Sequence, residues 1–407
     1  MKLQGKSKKD LEQDKVHGLL EAKDFRGAVI AGTGFGKSRV GVRAAMACIE
    51  RELESDSLLK RKALILVPFE HLKDRFSKEI TTLFGEDSLK YFHFECYASI
   101  RKLDPDNYCI TVCDEAHLGL TELCAQYYAK QSGPLVMMTA TEPEDPIYRL
   151  RMFDLVPLVY SISIDECVKQ GFVAPYHIVC ASVEFTKEET VLYGTVNRNF
   201  GHWKGKLGFS PFDMATTIIR YKSKYSSDNI AAALGFFRAI RQRKNLVDHA
   251  ANKIQLSVDL AQLIKGKKLI FGGDNQFTDQ IASAVEGSSV YHSKISEKKR
   301  LAALDDFRTG RSNVLCSTKA LNQGLDIPDA SIGIVCGLTS KALTMIQRIG
   351  RLVRIDPNDP LKSGLIVIAY VKDSQEHKWL NSALEGMDPS NVTWTEANSY
   401  IERLKEI

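Results

Sequence analysis

Short apolar runs alternate with helical patterns along most of the chain, and this alternation limits the fold more than any other feature. Turn residues bound the runs, which contain few charges, as expected for strands covered on both faces. Strands separated by helices pair in parallel, because a parallel connection has to cross the sheet. We therefore predict an α/β fold with two doubly wound parallel sheets. The strands are predicted at 28–31, 63–67, 91–97, 109–113 and 135–139 in the first half, and at 177–183, 268–271, 289–291, 313–316, 332–336 and 365–370 in the second.

The strand pattern fades between about residues 184 and 266, and this gap organises the chain into domains. A chain of 407 residues has room for roughly two or three domains. We predict a first domain at 1–170 and a last one at 266–407. Residues 171–265 would hold the start of the second domain and an accessory segment at about 184–265. From Asp228 onward apolar residues recur at helical spacing, so this segment is predicted to be mainly helical.

The accessory segment also holds the excess positive charge. The whole chain carries 55 Lys and Arg against 50 Asp and Glu, a net charge of +5. Residues 201–250 hold nine Lys and Arg against three Asp, so this stretch sums to +6 and the rest of the chain to −1. Aromatic side chains, among them Trp203, are interleaved with the cations. The pattern is typical of a surface that contacts a polyanion, and a helical connector with solvated charges is the alternative.

The overall composition excludes several classes of protein. With 44% hydrophobic and 26% charged residues, the sequence is globular rather than disordered, collagenous or coiled-coil. Its nine cysteines include no CxxC pair, which argues against a zinc ribbon or a disulfide framework and favours a reducing, intracellular compartment. The sequence contains neither an apolar leader nor an apolar run of membrane-spanning length. We therefore predict a cytoplasmic protein without membrane association.

The segment from Val29 to Arg39 reads Val-Ile-Ala-Gly-Thr-Gly-Phe-Gly-Lys-Ser-Arg, a strand followed by a glycine-rich turn and a helix. Glycines let the backbone N–H groups point at phosphate oxygens, and the helix N-terminus adds partial positive charge. Lys37 is placed to neutralise the β- and γ-phosphates, and the Ser38 hydroxyl to ligate Mg²⁺. An ordinary glycine turn is the alternative, because Ala31 stands where the strict phosphate-loop pattern has Gly. We predict a site for ATP and Mg²⁺ at Gly32, Thr33, Gly34, Phe35, Gly36, Lys37 and Ser38.

Two acids, Asp114 and Glu115, end the apolar strand predicted at 109–113. An acid at such a strand end can hold the metal opposite the phosphate loop, and a second acid can polarise the attacking water. We assign the metal to Asp114 and the water to Glu115, and predict that both are catalytic. Acids after a strand also cap helices, which is the structural alternative.

A third group of polar residues lies in Gln347-Arg-Ile-Gly-Arg-Leu-Val-Arg354. Gln347, Arg351 and Arg354 are spaced at i, i+4 and i+7, so a helix would present all three on one face. A guanidinium matches phosphate geometry and stabilises charge in phosphoryl-transfer transition states. The three residues are predicted to be catalytic, and a solvated basic helix face is the alternative.

Taken in order along nearly the whole chain, these motifs resemble those of superfamily 2 helicases and translocases. Residues 31–38 resemble motif I, and the tetrad at 114–117 is a DEAH form of motif II. Thr139-Ala-Thr141 resembles motif III, and 347–354 resembles motif VI. The other matches are Gln13 to the adenine-reading glutamine, Val67–Leu72 to motif Ia, Cys96–Ser99 to motif Ic, 269–271 with Tyr291 and His292 to the motif IV region, and Ser317–Pro328 to motif V.

The resemblance implies two tandem RecA-like motor domains, with the family's roles carried over by position. Gln13 would read adenine, Gly324 and Asp326 would approach ATP from the second domain, and Arg351 and Arg354 would be arginine fingers. ATP hydrolysis is then expected only when the cleft between the two domains closes. Residues implied to couple the ATP site to nucleic acid are His117, Thr139 and Thr141. Residues implied to contact nucleic acid are Pro68, Tyr97, Ser99, His292 and Thr318.

Two positions depart from the family pattern. Phe69 and Glu70 stand where the DEAD-box form of motif Ia has an arginine, which leaves the strand contacts of this motif open. Asn322-Gln323 replaces the usual acidic pair before the motif V glycine, which leaves details of the coupling open.

Motifs V and VI look like those of the DNA-directed branch, which includes XPB helicases, restriction-enzyme motor subunits and UvsW-type phage enzymes. DEAH RNA helicases usually have Gly-Arg-x-Gly-Arg where this chain has Gly350-Arg-Leu-Val-Arg354. We therefore expect a monomeric phage or bacterial DNA helicase acting on forked or branched DNA, with replication or recombination proteins as further partners. The alternatives are a duplex translocase, a motor subunit for a nuclease, or an RNA helicase.

The accessory segment is the expected additional DNA contact. Lys and Arg side chains supply phosphate affinity that does not depend on sequence, and an aromatic ring can stack on a base or act as a wedge at a junction. On this basis Trp203, Arg241 and Arg243 are predicted to contact DNA.

Overall fold

The computed structural model describes residues 6–55, 60–318, 330–339, 352 and 362–406. The described residues up to Pro175 form one compact unit, and nearly all of those from Tyr176 onward form a second. Five predicted site residues lie outside the described residues, together with most of the motif V segment. They are Gly324, Asp326, Gln347, Arg351 and Arg354.

The sheet of the first unit has six strands in the order β3-β2-β4-β5-β1-β6, and all neighbouring strands are parallel. The central strands β1, β4 and β5 are almost entirely buried, which confirms that their apolar runs are covered on both faces. The strand bounds are Arg26–Ala31 (β1), Lys62–Val67 (β2), Phe92–Cys96 (β3), Tyr108–Cys113 (β4), Leu135–Thr139 (β5) and Leu158–Ile162 (β6).

The helices of the first unit lie between its strands in the chain, as parallel pairing requires. Helix α1 begins with a capping box in which Ser7 and Asp10 exchange hydrogen bonds. Helix α2 begins directly after Gly36 and has no side-chain cap, so its N-terminal N–H groups can receive an anion. The helix bounds are Lys8–Glu21 (α1), Lys37–Glu54 (α2), His71–Phe84 (α3), Glu122–Lys130 (α4), Pro146–Leu155 (α5) and Ile164–Lys169 (α6).

The sheet of the second unit has seven strands in the order β13-β7-β12-β11-β8-β10-β9. The pairs β8/β10, β9/β10, β8/β11, β11/β12 and β7/β13 are parallel. The strand bounds are Tyr176–Val183 (β7), Lys268–Phe271 (β8), Ser288–Tyr291 (β9), Val314–Ser317 (β10), Ile332–Val335 (β11), Gly364–Val371 (β12) and Val392–Glu396 (β13).

Edge strands β6 and β13 are the two that the sequence pattern did not predict. Each has a neighbour on one side only, and each mixes polar with apolar residues. Leu158 of β6 and Trp394 of β13 are both partly exposed. The continuous apolar run that identifies a buried parallel strand is therefore missing from both.

A large apolar core joins the second sheet to its helices, with Leu256, Leu260, Phe277 and Ile281 packed against strand residues such as Ile334. The helix bounds are Lys187–Leu207 (α7), Pro211–Arg220 (α8), Ser227–Asp248 (α9), Ala251–Leu263 (α10), Asn275–Ala284 (α11), Glu297–Thr309 (α12), Gln375–Leu384 (α13) and Ala397–Lys405 (α14).

Helices α7, α8 and α9 form a helical insert, residues 187–248, between β7 and α10. The insert has a small core of its own, which includes Leu207, Ile218 and Phe236. This confirms the prediction that the basic stretch is mainly helical. Within the described part of the chain, no helix is both long and apolar enough to span a bilayer.

Candidate active site

The predicted residues of the first unit meet at one edge of its sheet. Strands β4, β5 and β1 are neighbours in that order. The phosphate loop (residues 32–36) follows β1, Asp114 follows β4, and Thr139 ends β5. Because the carboxyl ends of parallel strands lie at the same edge, these three groups converge where α/β folds usually bind ligands.

Two glycines set the shape of the phosphate loop. Gly34 and Gly36 both have φ of 95°, in the left-handed region that a side chain disfavours. A Cβ atom at Gly34 would lie 2.7 Å from the Val173 side chain, and one at Gly36 would collide with Gln13. The loop therefore needs glycine at both positions, and it ends directly at the uncapped N-terminus of α2.

Lys37 and Ser38 are buried in the first turn of α2. The Lys37 ammonium donates a hydrogen bond to the Ala31 carbonyl at 2.7 Å. Burial lowers the pKa of Lys37, and the negative charges of Glu115 and Asp114 oppose that shift. The Ser38 hydroxyl is buried without a hydrogen-bond partner among the described residues. A buried cation and an unsatisfied hydroxyl at a helix N-terminus suit a phosphate with its metal.

Helix α1 holds the phosphate loop from the side. Gln13 is buried, and its amide Nε2 donates to the Phe35 carbonyl at 2.7 Å. Its Oε1 atom is buried without a hydrogen-bond partner among the described residues, so it can accept from a ligand amine. Lys9, one turn earlier, donates to the Gly34 carbonyl at 2.5 Å. Sequence reasoning missed Lys9, although its i, i+4 spacing from Gln13 on a helix was a usable signal.

The paired acids Asp114 and Glu115 differ in their environment. Asp114 is buried, and its backbone N–H donates to the Leu66 carbonyl at 2.9 Å. Burial, and after it the charge of Glu115, raises the pKa of Asp114 to about 6, against the opposing charges of Arg75 and Lys37. Glu115 is partly exposed and adopts a left-handed backbone with φ of 47°. A nearby cation would relieve the repulsion between the two carboxylates.

Arg75 in α3 is a second residue that sequence reasoning missed. Its positive charge acts on both Asp114 and Lys37, so the α3 side of the site carries a cation. The side chain lies within an ordinary amphipathic helix pattern, and no local motif marks it. Only the tertiary structure brings it toward the acids.

His117, Thr139 and Thr141 form a short polar chain beside Glu115. The Thr139 hydroxyl donates to the Thr141 carbonyl at 2.9 Å. Because that uses its only proton, Thr139 Oγ1 accepts from His117 Nδ1, which lies 3.1 Å away. The same His117 Nδ1 is 3.6 Å from Glu115 Oε2. The structure thus links the three predicted coupling residues to each other and brings them close to Glu115.

The three nucleic-acid contacts predicted in the first unit follow β2 and β3. Pro68 and Ser99 are partly exposed there. Tyr97 is buried, and its hydroxyl donates to the Asp114 carbonyl at 2.7 Å. Tyr97 thus holds the backbone of the acidic pair, and its predicted contact with nucleic acid stays a prediction.

In the second unit, His292 and Thr318 are also buried. His292 Nε2 lies 2.9 Å from Asp279 Oδ1, and its Nδ1 accepts from the Lys294 N–H at 3.3 Å. Both ring nitrogens are thus engaged within the second unit, and the expected contact of His292 with nucleic acid stays a prediction. Thr318 donates to Asn275 Oδ1 at 3.3 Å.

In the helical insert, the three predicted DNA contacts separate into packing and surface residues. The Trp203 ring packs against Gly235, with Lys206 Nζ 4.9 Å from the ring centroid. The Arg243 guanidinium lies 4.1 Å from the centroid of the Phe200 ring. Both help to hold α7 against α9 and are partly exposed, and their predicted contact with DNA stays a prediction. Arg241 is exposed and remains a candidate contact.

The raised pKa of Asp114 predicts how metal binding depends on pH. Protonation below pH about 6 removes the negative charge that a cation needs. We expect the Mg²⁺ concentration required for ATP-analogue binding to rise about tenfold for each pH unit below that value. In Glu115→Gln the repelling charge is lost, so the pKa of Asp114 falls. The required Mg²⁺ concentration then begins to rise only at a lower pH.

Free ATP binds Mg²⁺ with its own pH dependence, which is the same in both titrations. Comparing the wild type with Glu115→Gln therefore cancels this contribution. Fluorescence titration with a labelled ATP analogue measures the requirement in each protein. Identical pH profiles would contradict the placement of Asp114 at the metal.

Comparison with known proteins finds similarity to helicases. The family model for the helicase conserved C-terminal domain matches residues 252–356. A DNA 3'-5' translocase, XPB2 of Sulfurisphaera tokodaii, is 25% identical over 85% of this chain and 78% of its own. The ATP-dependent RNA helicase eIF4A of Yarrowia lipolytica is 24% identical over 79% of this chain and 72% of its own.

Solved helicase structures share the fold. Dbp5 of S. cerevisiae, bound to RNA and ADP BeF3, matches with a TM-score of 0.61 and 16% identity over 97% of this chain and 91% of that one. The Hef helicase domain of Pyrococcus furiosus matches with a TM-score of 0.59 and 15% identity over 93% and 98% of the two chains. The predicted architecture of two tandem RecA-like domains is confirmed. The domain match and the relatives together support a superfamily 2 helicase, and the prediction of an ATP-hydrolysing enzyme is confirmed.

Proposed function

We propose that this superfamily 2 enzyme is an ATP-dependent DNA helicase or translocase that acts on forked or branched DNA. The observation that carries the ATP-driven part is the set of buried groups at the carboxyl edge of the first sheet. There Lys37, the unsatisfied Ser38 hydroxyl and the paired acids Asp114 and Glu115 converge beside a glycine loop. The choice of DNA rests on motifs V and VI and on the breadth of the match to a DNA translocase.

In this proposal the residues of the first unit divide the work on ATP. Gln13 reads the adenine through its free amide oxygen, and the loop N–H groups with Lys37 hold the phosphates. Ser38 and Asp114 would hold Mg²⁺, with further ligands from the phosphates, because the described residues offer no cluster of three or more metal-binding side chains. When bound, Mg²⁺ neutralises charge on the transferring phosphate. Glu115 orients and polarises the attacking water.

The coupling between ATP and nucleic acid is assigned to the polar chain of His117, Thr139 and Thr141. A change in the charge or position of Glu115 reaches Thr139 through the His117 ring. The other predicted residues keep their expected roles as proposals. Thr318 is assigned to a contact with the phosphate backbone of the nucleic acid. Those outside the described residues are Gly324 and Asp326 at ATP, and Gln347, Arg351 and Arg354 at the transition state.

The DNA helicase proposal and the RNA helicase alternative predict different ATP turnover. We expect the rate to rise at least about tenfold with forked DNA, and less with RNA of the same sequence and length. The measurement compares single strands, duplexes, forks, four-way junctions and RNA at one fixed salt concentration, since phosphate contacts are salt-dependent. Stimulation by RNA alone would support the RNA helicase alternative, and no stimulation by any of them would contradict the motor function.

The helical insert is proposed as the additional DNA contact. Seven of its nine cations in 201–250 are exposed, and none of the seven forms an ion pair within the described ranges. They are Lys204, Lys206, Arg220, Lys222, Lys224, Arg238 and Arg241. The other two are engaged, since Arg243 covers Phe200 and Lys244 pairs with Asp248. Unpaired cations on one small subdomain provide phosphate affinity.

Charge reversal in α9 tests this contact. Arg238→Glu with Arg241→Glu should weaken fork binding and reduce the slope of log affinity against log salt by about one to two. Lys23→Glu with Lys130→Glu is the matched control, because it also reverses two charges, at exposed sites of the first unit. Fluorescence anisotropy with a labelled fork, at several salt concentrations, measures both quantities. Equal slopes in the variant and the control would exclude α9 from the interface.

The proposal includes two possible activities, strand separation and translocation along duplex DNA, which different assays detect. Release of a strand from a fork requires a helicase, whereas displacement of a third strand from a triplex requires only movement along duplex. Triplex displacement without fork unwinding would favour the duplex translocase or nuclease-motor alternative. We propose cytoplasmic action as a monomer, together with replication or recombination proteins.

A further inference from the structure

The connection between α7 and α8 places an aromatic ring in solvent at one end of the helical insert. Helix α7 ends at Leu207, and Gly208 has φ of 78°, so the chain turns sharply there. Phe209 follows with a relative exposure of 105%, the largest among the exposed apolar side chains described. Pro211 then starts α8. Residues 208–212 are called the insert tip below.

The packing of the insert does not account for this exposed ring. Its core consists of residues from the three helices, among them Leu207, Ala215 and Phe236, and Phe209 is not part of it. Phe212 at the other end of the tip is 59% exposed, with one ring edge on Phe237 at a centroid distance of 5.7 Å. Two phenyl rings therefore project from this turn, although polar residues could form the same backbone.

The insert tip is bordered by cations. Lys204 and Lys206 are exposed in the last turn of α7, directly before the tip. The contact of Phe212 with Phe237 places the start of α8 beside the middle of α9, where Arg238 and Arg241 are exposed. An apolar planar ring on a turn bordered by exposed cations matches a ligand that combines flat aromatic groups with regularly spaced negative charges.

We propose that Phe209 is a base-stacking residue, which places its ring on the first exposed base where a DNA duplex opens. The inference rests on the proposed function and adds to it the residue that contacts the base and the DNA feature it recognises. The cations of α7 and α9 hold the phosphates on either side, and the ring stacks on the base without reading its identity, since every base has a π face. Trp203, the aromatic residue first predicted for this role, is packed between α7 and α9 instead.

A nucleic acid fits the insert tip better than a bilayer or an apolar protein surface. The flanking cations suit phosphates, and the same chain carries an ATP site of the helicase type. A protein partner would bury an apolar side chain of any shape, so leucine would serve as well as phenylalanine. Stacking requires a flat ring, so only aromatic replacements preserve it.

Four variants separate these possibilities: Phe209→Ala, Phe209→Leu, Phe209→Tyr and the control Val191→Ala. Val191 is an apolar residue near the start of α7 and is 72% exposed. Most of the length of α7 separates it from the insert tip. The probe is a DNA fork with 2-aminopurine at the first unpaired position, since its fluorescence falls when the base stacks. Fork affinity, fork unwinding and ATP turnover stimulated by single-stranded DNA are measured in parallel.

We expect Phe209→Ala and Phe209→Leu to lose the 2-aminopurine response and to weaken fork binding about tenfold. Phe209→Tyr and Val191→Ala should behave like the wild type. At saturating single-stranded DNA, ATP turnover should stay within about twofold in all four, because neither Phe209 nor Val191 is among the residues assigned to ATP. Thermal unfolding verifies that each variant is folded.

Three results would overturn the inference. A normal 2-aminopurine response in Phe209→Ala would remove the ring from the junction. Full fork activity in Phe209→Leu would indicate an apolar contact instead of stacking. Loss of binding to vesicles containing anionic lipid in Phe209→Ala, with fork binding intact, would assign the insert tip to a membrane surface. Failure of the proposed function appears differently, as a wild-type protein whose ATP turnover no nucleic acid stimulates.

Discussion

Lys37→Ala is expected to lower ATP turnover by at least about a hundredfold while leaving the protein folded. The lysine lies at the N-terminus of α2, buried beside the phosphate loop. In the proposed site it neutralises the β- and γ-phosphates, so its loss would remove charge stabilisation from both the bound and the transition state. We therefore expect weaker ATP binding as well as slower hydrolysis.

The fold should tolerate this change because burial already disfavours the charged form of Lys37, as its lowered pKa indicates. Removing the ammonium eliminates one hydrogen bond, to the Ala31 carbonyl, together with the cost of burying a charge. Lys15→Ala, at an exposed site of α1, is the control. ATP turnover and thermal unfolding are measured for both variants. Turnover near the wild-type rate in a folded Lys37→Ala protein would refute the assigned role.

Glu115→Gln should also reduce turnover, by about a hundred- to ten-thousandfold, but with ATP binding preserved. Glutamine has the shape of glutamate and lacks the charge needed to polarise a water molecule. The Oε2 atom of Glu115 is buried without a hydrogen-bond partner among the described residues, and an unsatisfied carboxylate oxygen suits a water held in the loaded site. A variant that binds but does not hydrolyse ATP would separate the role of Glu115 from that of Lys37.

The control for Glu115→Gln is Glu122→Gln in α4, an exposed acid paired with Arg151. Equilibrium binding of a labelled ATP analogue and steady-state turnover are measured for each. Hydrolysis at the wild-type rate would exclude Glu115 from activating the water. Loss of ATP binding would show instead that the glutamate holds the local structure, where its left-handed backbone already costs energy.

The sequence predicts which residues of the first unit converge at one sheet edge, because these residues follow buried strands. An apolar run such as Tyr108–Cys113 identifies a strand, and its end locates Asp114 at the carboxyl edge of a parallel sheet. The phosphate loop is found in the same way after Arg26–Ala31. Edge strands such as Leu158–Ile162 lack this signal, because one side has no neighbour and polar residues are tolerated there.

Side-chain burial is what the sequence does not reveal. Tyr97 and His292 occupy motif positions, yet the structure buries both against acidic residues or their backbone. Trp203 and Arg243 belong to a basic, aromatic stretch, and each packs at the α7–α9 contact while staying partly exposed. Conversely, Phe209 shows no sequence signal that separates it from the core aromatics, and its exposure appears only in the folded insert.

The most direct test of the account is ATP-dependent strand release from a labelled DNA fork. We predict that the wild-type protein releases the strand with ATP and Mg²⁺, and that a non-hydrolysable analogue does not support release. Glu115→Gln should bind the fork and release nothing. Strand release by Glu115→Gln at the wild-type rate, or a wild-type protein that opens RNA duplexes but no DNA substrate, would contradict the proposed ATP-driven DNA helicase.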